Sequence, residues 1–358
     1  MSRYWSDLAR TIVPYVAGEQ PTGRTYIKLN TNENPYPPSP RVIDAIKSAA
    51  NERLRLYPDP ECRELRTAIA HYYDLSIDEV FVGNSSDEVL AFALPAFFNP
   101  GSPILLPDVT YTFYPTIAGL FRIDHKTVPL SADFTIPVEG FFRENGGIII
   151  PNPNAPTGIY LPLDAIRSIL DNNKEHVVII DEAYIDFAGP SAARLIREYP
   201  NLLVTQTFSK SRALAGLRVG FALGQRELIQ GLDRVKNCIN AYTLDRLALA
   251  GAAAAMRDRA YFEETTAKIK HTRERVAARL REIGFIITSS QANFVFISHP
   301  KVPAGALLRQ LREKGILVRY FNAPRIDNYL RVSIGTDEEM DVFLKAIEEL
   351  VAGKQQSS

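Results

Sequence analysis

LLVTQTFSKSRALAGLRVGFAL, residues 202–223, contains two apolar, strand-like runs that are joined by a polar loop. The first run, Leu202–Thr205, is short and rich in branched side chains, which is typical of a buried strand. The loop contains Lys210, which follows Ser209 and precedes Arg218 by eight residues. A lysine between two buried strands is unfavourable unless its amine is paired or does chemistry. A reactive amine beside two anion-binding side chains predicts a site for an aldehyde that carries a phosphate.

The composition predicts a soluble cytoplasmic enzyme. The chain has 358 residues, of which 46% are hydrophobic, enough for one large α/β domain or for a large and a small domain. Lys+Arg and Asp+Glu are equal at 41 each, which argues against a surface for nucleic acid. Cys62 and Cys238 form no paired motif, and the five histidines form no metal-binding cluster. We find no signal peptide and no apolar run of membrane-spanning length.

Continuous apolar strands that alternate with amphipathic helices predict an α/β fold with a mainly parallel sheet between two layers of helices. Ligands of such sheets bind just beyond the carboxyl ends of the strands. Polar motifs follow the predicted strands at residues 83–88, 152–158, 181–184 and 207–210. We therefore expect these motifs to form one site.

The chain divides into three predicted parts. Residues 1–40 form a proline-rich N-terminal arm, residues 41–280 a large domain that contains the site, and residues 281–358 a small α+β domain against which the arm packs. Within the arm, LNTNENP at residues 29–35 is dense in amides. These side chains either cap turns or face a ligand, and Asn32 is the candidate for a substrate contact.

A phosphorylated pyridine aldehyde that is bound to a lysine needs several partners. Asp181, at the end of an apolar strand, fits the ring nitrogen, because a buried acid needs a cation as partner. Tyr184 and Asn154 are candidates for the ring hydroxyl, and Tyr111 for a side chain stacked on the ring. Lys210 would then act as base and acid at the substrate's Cα. The candidate phosphate ligands are the N–H groups of Ser86 and Asp87 and the side chains of Thr207, Ser209 and Arg218.

Each of these residues also has a structural explanation when it is taken singly. Ser85 and Glu88 fit a capping box, and Asp181 could cap a helix. Tyr111 could be a core aromatic, and Arg218 could form a surface ion pair. The cofactor interpretation gains its weight from the order and spacing of the motifs, which all fall at one edge of the sheet.

Four motifs resemble those of the fold-type I pyridoxal-phosphate aminotransferases. They are NPNAPTG (152–158), DEAY (181–184), TFSKSRALAGLR (207–218) and YLRVSIGT (329–336). The resemblance extends essentially from end to end, and within the family it is closest to the histidinol-phosphate aminotransferases. One departure stands out: many relatives have Asn directly before Pro–Thr–Gly, where this chain has Ala155, so that Asn154 is the available amide.

The resemblance implies roles for the site residues and an assembly. Lys210 forms the covalent bond to pyridoxal 5'-phosphate, Asp181 contacts the pyridine nitrogen, and Tyr184 contacts the ring hydroxyl. Tyr57 reaches the cofactor phosphate of the other subunit, which implies a homodimer. Three further matches are implied to bind the substrate, with Arg331 on its anionic group and two residues that favour a phosphate, Arg319 and Tyr15.

The expected reaction converts histidinol phosphate and 2-oxoglutarate into imidazole acetol phosphate and glutamate, with an amino donor and a 2-oxo acid as the small-molecule partners. Arg331 can bind a carboxylate or a phosphate with its planar guanidinium. An aromatic-amino-acid transaminase could use a similar pocket, and a decarboxylase of a phosphorylated amino acid could use the same scaffold. A PLP-binding regulator is disfavoured, because it needs a nucleic-acid-binding module that a neutral chain does not provide.

Overall fold

The structure is a computed structural model and describes residues 2–16, 18–21 and 25–355. In chain order, its strands are β1 (Ile27–Leu29), β2 (Val80–Asn84), β3 (Ile104–Pro107), β4 (His125–Val128), β5 (Ile148–Pro151), β6 (Val178–Asp181), β7 (Leu202–Thr207), β8 (Val219–Leu223), β9 (Ile286–Ile287), β10 (Phe294–Ser298), β11 (Ile316–Tyr320) and β12 (Leu330–Ser333). Its helices are α1 (Asp7–Thr11), α2 (Pro40–Ala49), α3 (Arg63–Tyr73), α4 (Ser85–Phe97), α5 (Phe113–Leu120), α6 (Leu163–Asp171), α7 (Arg226–Ile239), α8 (Arg246–Arg257), α9 (Arg259–Glu282), α10 (Ala304–Glu313) and α11 (Asp337–Gln355).

The large sheet has the strand order β2-β8-β7-β6-β5-β3-β4. The neighbours from β7 to β4 pair in parallel, whereas β8 is antiparallel to both β7 and β2. The reversal has a simple cause: residues 208–218, which join β7 to β8, are too few for the crossover of about a dozen or more residues that a parallel pair needs. The predicted α/β fold with a mainly parallel sheet is confirmed.

The two faces of this sheet pack against separate hydrophobic cores. On β6, Val178 and Ile180 belong to one core, while Ile179 belongs to the other, because successive side chains of a strand point to opposite faces. Helices α3, α6 and α8 cover the first face, and α4, α5 and α7 cover the second. Burial on both faces explains why these strands are apolar without alternation.

A second, smaller sheet has the order β1-β11-β12-β10-β9. Its first strand belongs to the predicted N-terminal arm and pairs in parallel with β11, with Ile27 beside Ile316. Helix α9 begins well before residue 281, yet its Ile269, Val276 and Leu280 pack into the core of the small sheet. The division at residues 40 and 280 stays a prediction, and the packing of α9 favours an earlier start for the small domain.

The topology brings the polar motifs together. The parallel strands β5, β6 and β7 end at the same edge of the large sheet, and the antiparallel β8 begins there. Helix α4 also begins at this edge, directly after β2. Gly220 on β8 allows the close approach of α4, since a Cβ at this position would lie 2.2 Å from the backbone nitrogen of Ser86.

We predict that Gly220→Ala lowers the free energy of unfolding by roughly 1–3 kcal/mol, because the added methyl group meets rigid backbone. Urea unfolding of the protein without added cofactor measures this change. Gly119→Ala in α5 is the matched control, because a Cβ there meets nothing within 4 Å and should change stability by at most about 1 kcal/mol. Equal stability of the Gly220→Ala and wild-type proteins would contradict the packing described here.

Candidate active site

A cavity of about 390 Å³ opens at this edge of the large sheet. Its volume is in the range of small-molecule sites. It lies between the strand ends and the small sheet, with residues 30–33 of the arm in its wall. Thirteen of the site residues predicted from the sequence line it: Tyr15, Asn32, Ser86, Asp87, Tyr111, Asp181, Tyr184, Thr207, Ser209, Lys210, Arg218, Arg319 and Arg331.

Lys210 extends from the β7–β8 loop into this cavity. Its Nζ donates a hydrogen bond to the carbonyl oxygen of Thr31 at 3.1 Å and lies 5.8 Å from the ring centroid of Tyr184. The backbone of the loop is fixed by Asn34, whose Nδ2 donates to the carbonyl oxygens of Lys210 and Ser211 at 3.0 and 3.1 Å. The N-terminal arm therefore contacts both the amine of Lys210 and the backbone of its loop.

Asp181 ends β6 and is buried at the bottom of the cavity. Burial raises the pKa of its carboxyl group to about 6, although hydrogen bonds from Tyr114 and Thr205 act in the opposite direction. Tyr114 Oη donates to Oδ2 at 2.6 Å, and Thr205 Oγ1 donates to Oδ1 at 3.1 Å. A buried acid of this kind, which faces a cavity, is suited to pair with a cationic ligand group.

Sequence reasoning assigned no role to Tyr114 or Thr205. Signals were available for both: Tyr114 lies only three residues after Tyr111, and Thr205 lies on the same strand as Thr207, two residues before it and so on the same face. It also missed the carbonyl oxygen of Thr31, which carries no side-chain signal at all.

Helix α4 presents its N-terminus to the cavity. No side chain caps its first turn among the described contacts, and the N-cap residue is Asn84. The capping box predicted for Ser85 and Glu88 is therefore wrong by one residue, since Glu88 accepts from the backbone N–H of Asn84. The N–H groups at the start of α4, which include those of Ser86 and Asp87, are thus available to an anion.

The remaining phosphate candidates surround this helix end. Thr207 Oγ1 lies 3.0 Å from Ser209 Oγ, and Arg218 Nη2 lies 3.4 Å from the carboxylate of Asp87. Arg218 has a left-handed backbone with φ of 53°, and so has Ser85 with φ of 74°. Unfavourable backbone conformations of this kind cluster at ligand sites.

Tyr111 lines the cavity and donates its hydroxyl hydrogen to Asp87 Oδ1 at 3.2 Å. Its ring has aromatic neighbours, with centroids 5.7 Å away for both Tyr15 and Phe113. This support keeps the ring in one orientation, so that its face could stack on a flat ligand.

The two arginines that were predicted to bind substrate lie at the small-sheet side. Arg331 Nη2 donates to the carbonyl oxygen of Asn30 at 3.2 Å, whereas its buried Nε has no hydrogen-bond partner among the described residues. Its guanidinium lies between the rings of Phe294 and Phe321, 5.3 and 5.5 Å from their centroids. Burial lowers the pKa of Arg331, and the like charge of Arg319 adds to this effect. An anion between the two guanidiniums would relieve both costs.

Two predicted site residues lie outside the cavity. Asn154 donates through Nδ2 to Val109 O and Thr157 Oγ1 and lines a second, smaller cavity, so that the prediction of its contact with the ring hydroxyl finds no support in this geometry. The next side chain, Ala155, faces the main cavity instead, because neighbouring residues of this loop point to different sides. Tyr57 is 78% exposed and stacks on Tyr242 with a centroid distance of 4.6 Å.

These residues fit a phosphorylated pyridine aldehyde. A buried acid, an amine, an uncapped helix N-terminus, hydroxyl groups and an arginine line the same cavity. A metal centre finds no such support, since the described residues contain no group of potential ligands. Within the same ranges, no helix is long and apolar enough to cross a membrane.

Comparisons with known proteins agree with this geometry. The family profile for aminotransferase class I and II matches residues 24–347. The histidinol-phosphate aminotransferase of Clostridium acetobutylicum is 57% identical over 352 residues, which are 98% of this chain and 100% of that protein. That of Clostridium beijerinckii is 54% identical over 355 residues, 99% of each chain.

Solved structures give the same result. The histidinol-phosphate aminotransferase of Sinorhizobium meliloti in complex with pyridoxal-5'-phosphate superimposes with a TM-score of 0.90, at 26% identity and 99% coverage of both chains. The aspartate aminotransferase of Thermus thermophilus with maleate, at 18% identity and a TM-score of 0.82 over 97% of this chain and 100% of that one, shows the fold alone. The chain therefore belongs to the class I and II aminotransferases, with the fold of the pyridoxal-phosphate-dependent fold-type I enzymes, and within that family to the histidinol-phosphate aminotransferases.

Proposed function

We propose that this protein uses pyridoxal 5'-phosphate to transfer the amino group of histidinol phosphate to 2-oxoglutarate, which yields imidazole acetol phosphate and glutamate. The proposal rests on one observation: the Lys210 amine, the buried Asp181 carboxyl group and the N-terminus of α4 all line the same cavity. The names of the relatives that are 54–57% identical over nearly the whole chain supply the substrate.

Each part of the cofactor has a candidate partner. Asp181 would hold the ring nitrogen, Tyr184 the ring hydroxyl and Tyr111 a face of the ring. The phosphate would be held by the group at the start of α4 and its surroundings: Ser86, Asp87, Thr207, Ser209 and Arg218. When bound, the cofactor supplies an electron sink for the pair left by a broken Cα–H bond.

The chain itself supplies the proton transfers and the orientation of the substrate. Once the substrate amine has replaced it on the cofactor, Lys210 Nζ would be free to accept the proton from the substrate's Cα. It would then donate this proton to the former aldehyde carbon of the cofactor. Arg331 would bind the carboxylate of glutamate or the phosphate of histidinol phosphate, with Arg319 and Tyr15 beside the same anion. Both anions can use one place because the guanidinium binds either in the same planar geometry.

We further propose that the enzyme is a cytoplasmic homodimer in which Tyr57 contacts the cofactor phosphate of the other subunit. Tyr57 lies outside the cavity of its own chain, which supports a role across an interface. Its ring partner Tyr242 is also exposed, as are the apolar side chains of Leu54, Leu56 and Ile239, and exposed apolar groups of this kind are common at interaction sites. Both cysteines are free thiols, which supports a reducing compartment.

A half-reaction experiment tests the activity. We expect histidinol phosphate, without any 2-oxo acid, to change the visible absorbance of the PLP-loaded enzyme much faster than phenylalanine or tyrosine does. Lys210→Ala should abolish the visible absorbance that comes from the covalent bond between Lys210 and PLP. It should also reduce turnover by at least about 10²-fold, because the general base is lost. Lys126→Ala, on the exposed side of β4, is the control. Faster conversion of the aromatic amino acids, or release of carbon dioxide, would overturn the proposed substrate or reaction.

The contact of Tyr114 with Asp181 generates a second prediction. In Tyr114→Phe the carboxyl group loses a donor, so that its pKa rises further above about 6. The acid is ionised only above its pKa, and the affinity for PLP should therefore fall most near pH 6–7 and recover at higher pH. We expect the dissociation constant for PLP to be about tenfold higher at pH 7, which is the effect typical of losing a hydrogen bond to a charged group.

Fluorescence titration with PLP at several pH values measures this affinity. Tyr261→Phe is the matched control, because it also removes a hydroxyl donor, here to the carbonyl oxygen of Pro37 and outside the cavity. A loss of affinity in Tyr114→Phe that is the same at all pH values would contradict an effect through Asp181.

Mixed dimers test the assembly. Tyr57→Ala and Lys210→Ala should each be impaired alone, but a dimer with one subunit of each kind contains one site that has both side chains. Random reassociation of equal amounts should therefore restore up to about one quarter of the wild-type activity. If Tyr57 acts within its own chain, the mixture will be no more active than the average of the two variants.

A further inference from the structure

Asn32, in the N-terminal arm, forms hydrogen bonds through its backbone N–H and carbonyl groups and through both polar atoms of its side chain. It is 1% exposed, and its backbone is left-handed with φ of 57°, a conformation that Asn tolerates better than most residues. Its N–H donates to Ser333 Oγ at 2.8 Å, and its carbonyl oxygen accepts from Asn293 Nδ2 at 2.9 Å. Its side chain accepts from Ser333 Oγ at 2.9 Å and donates to Tyr184 Oη at 3.0 Å.

These contacts fix the direction of the bond to Tyr184. Ser333 Oγ accepts from the backbone N–H of Asn32 and gives its one hydrogen to Oδ1. The Nδ2 group of Asn32 therefore faces Tyr184, and an amide NH₂ can only donate. The hydroxyl oxygen of Tyr184 accepts this bond, so that its own hydrogen points away from Asn32.

The hydroxyl hydrogen of Tyr184 could be donated to a ligand in the cavity. Tyr184 lines it together with Lys210, and its ring is held edge-on to Phe294 at a centroid distance of 5.1 Å. With the ring fixed and one lone pair occupied, rotation of the O–H bond is the freedom that remains. Because the amide of Asn32 donates to the hydroxyl oxygen from the side of the arm, the hydroxyl hydrogen of Tyr184 cannot point towards the arm.

We propose that Asn32 is a positioning residue that makes Tyr184 a hydrogen-bond donor to the ring oxygen of the cofactor, rather than a residue that contacts the substrate. The inference rests on the proposed function for the identity of the cofactor. Ser333, two residues after the anion-binding Arg331 on β12, completes the arrangement. The arm thus connects the strand that binds the substrate anion with the tyrosine that binds the ring.

A pH titration of the visible absorbance of PLP-loaded enzyme tests this role. The titrating group is the nitrogen that joins Lys210 to the cofactor, next to the ring oxygen. A hydrogen-bond donor to the ring oxygen stabilises the negative charge of that oxygen most when this nitrogen has lost its proton. Loss of the donor therefore moves the absorbance change to higher pH. We expect an upward shift of about one pH unit in Tyr184→Phe and about half a unit in Asn32→Ala. In the double variant the change at Asn32 should add nothing.

Asn293→Ala is the matched control, because it removes a donor to the backbone of Asn32 without touching Tyr184. Equal shifts in Asn293→Ala and Asn32→Ala would reveal a general loosening of the arm and overturn the inference. If Asn32→Ala fails to fold, Ser333→Ala frees the same amide and should give a smaller shift in the same direction; its absence would also overturn the inference.

The result separates this inference from the proposed function. A wild-type enzyme that binds PLP and reacts with histidinol phosphate, together with an Asn32→Ala variant that titrates like it, leaves the function intact and refutes the role of Asn32. A wild-type enzyme that binds no PLP overturns both.

Discussion

The short connection between β7 and β8 is the constraint on which the site depends. Because residues 208–218 cannot form a helical crossover, β8 turns back along β7, and the loop stays at the edge where the parallel strands end. Lys210 therefore lies at this edge of the sheet, within the loop, and Arg218 is the last residue of the loop. The same reversal places Gly220 beneath the first turn of α4, so that one backbone feature positions the amine, the arginine and the helix N-terminus.

Burial determines the chemistry of the residues that this loop brings together. Burial at the end of β6 disfavours the charged form of Asp181, and the hydrogen bonds that Tyr114 and Thr205 donate to it partly offset this effect. Arg331 is likewise buried with an unpartnered nitrogen and two aromatic rings around it. Both groups carry an electrostatic cost that a ligand group of opposite charge would reduce.

The fold and most of the site could be predicted from sequence, because strand ends are local features. Asp181 and Thr207 follow apolar runs, and a parallel sheet must bring such ends to one edge. Partners that come from distant parts of the chain could not be found in this way, and Tyr114 and the carbonyl of Thr31 are examples. Asn154 shows a different limit: motif spacing identifies the loop, but a one-residue difference decides which side chain enters the cavity. The role predicted for Tyr57 is a contact between two chains, and it stays a prediction.

The pairing of β1 with β11 has a consequence for biosynthesis. Residues 27–34 contact the lysine loop and Tyr184, yet their strand pairs with residues 316–318, which are synthesised much later than the strand itself. The large sheet contains neither of these strands, whereas the cavity beside it gains the wall formed by residues 30–33 only when β1 can pair with β11. Contacts of such long sequence separation form late, because the loop that they close is large. The part of the cavity wall that contacts the Lys210 amine is therefore completed only once residues 316–318 have been synthesised.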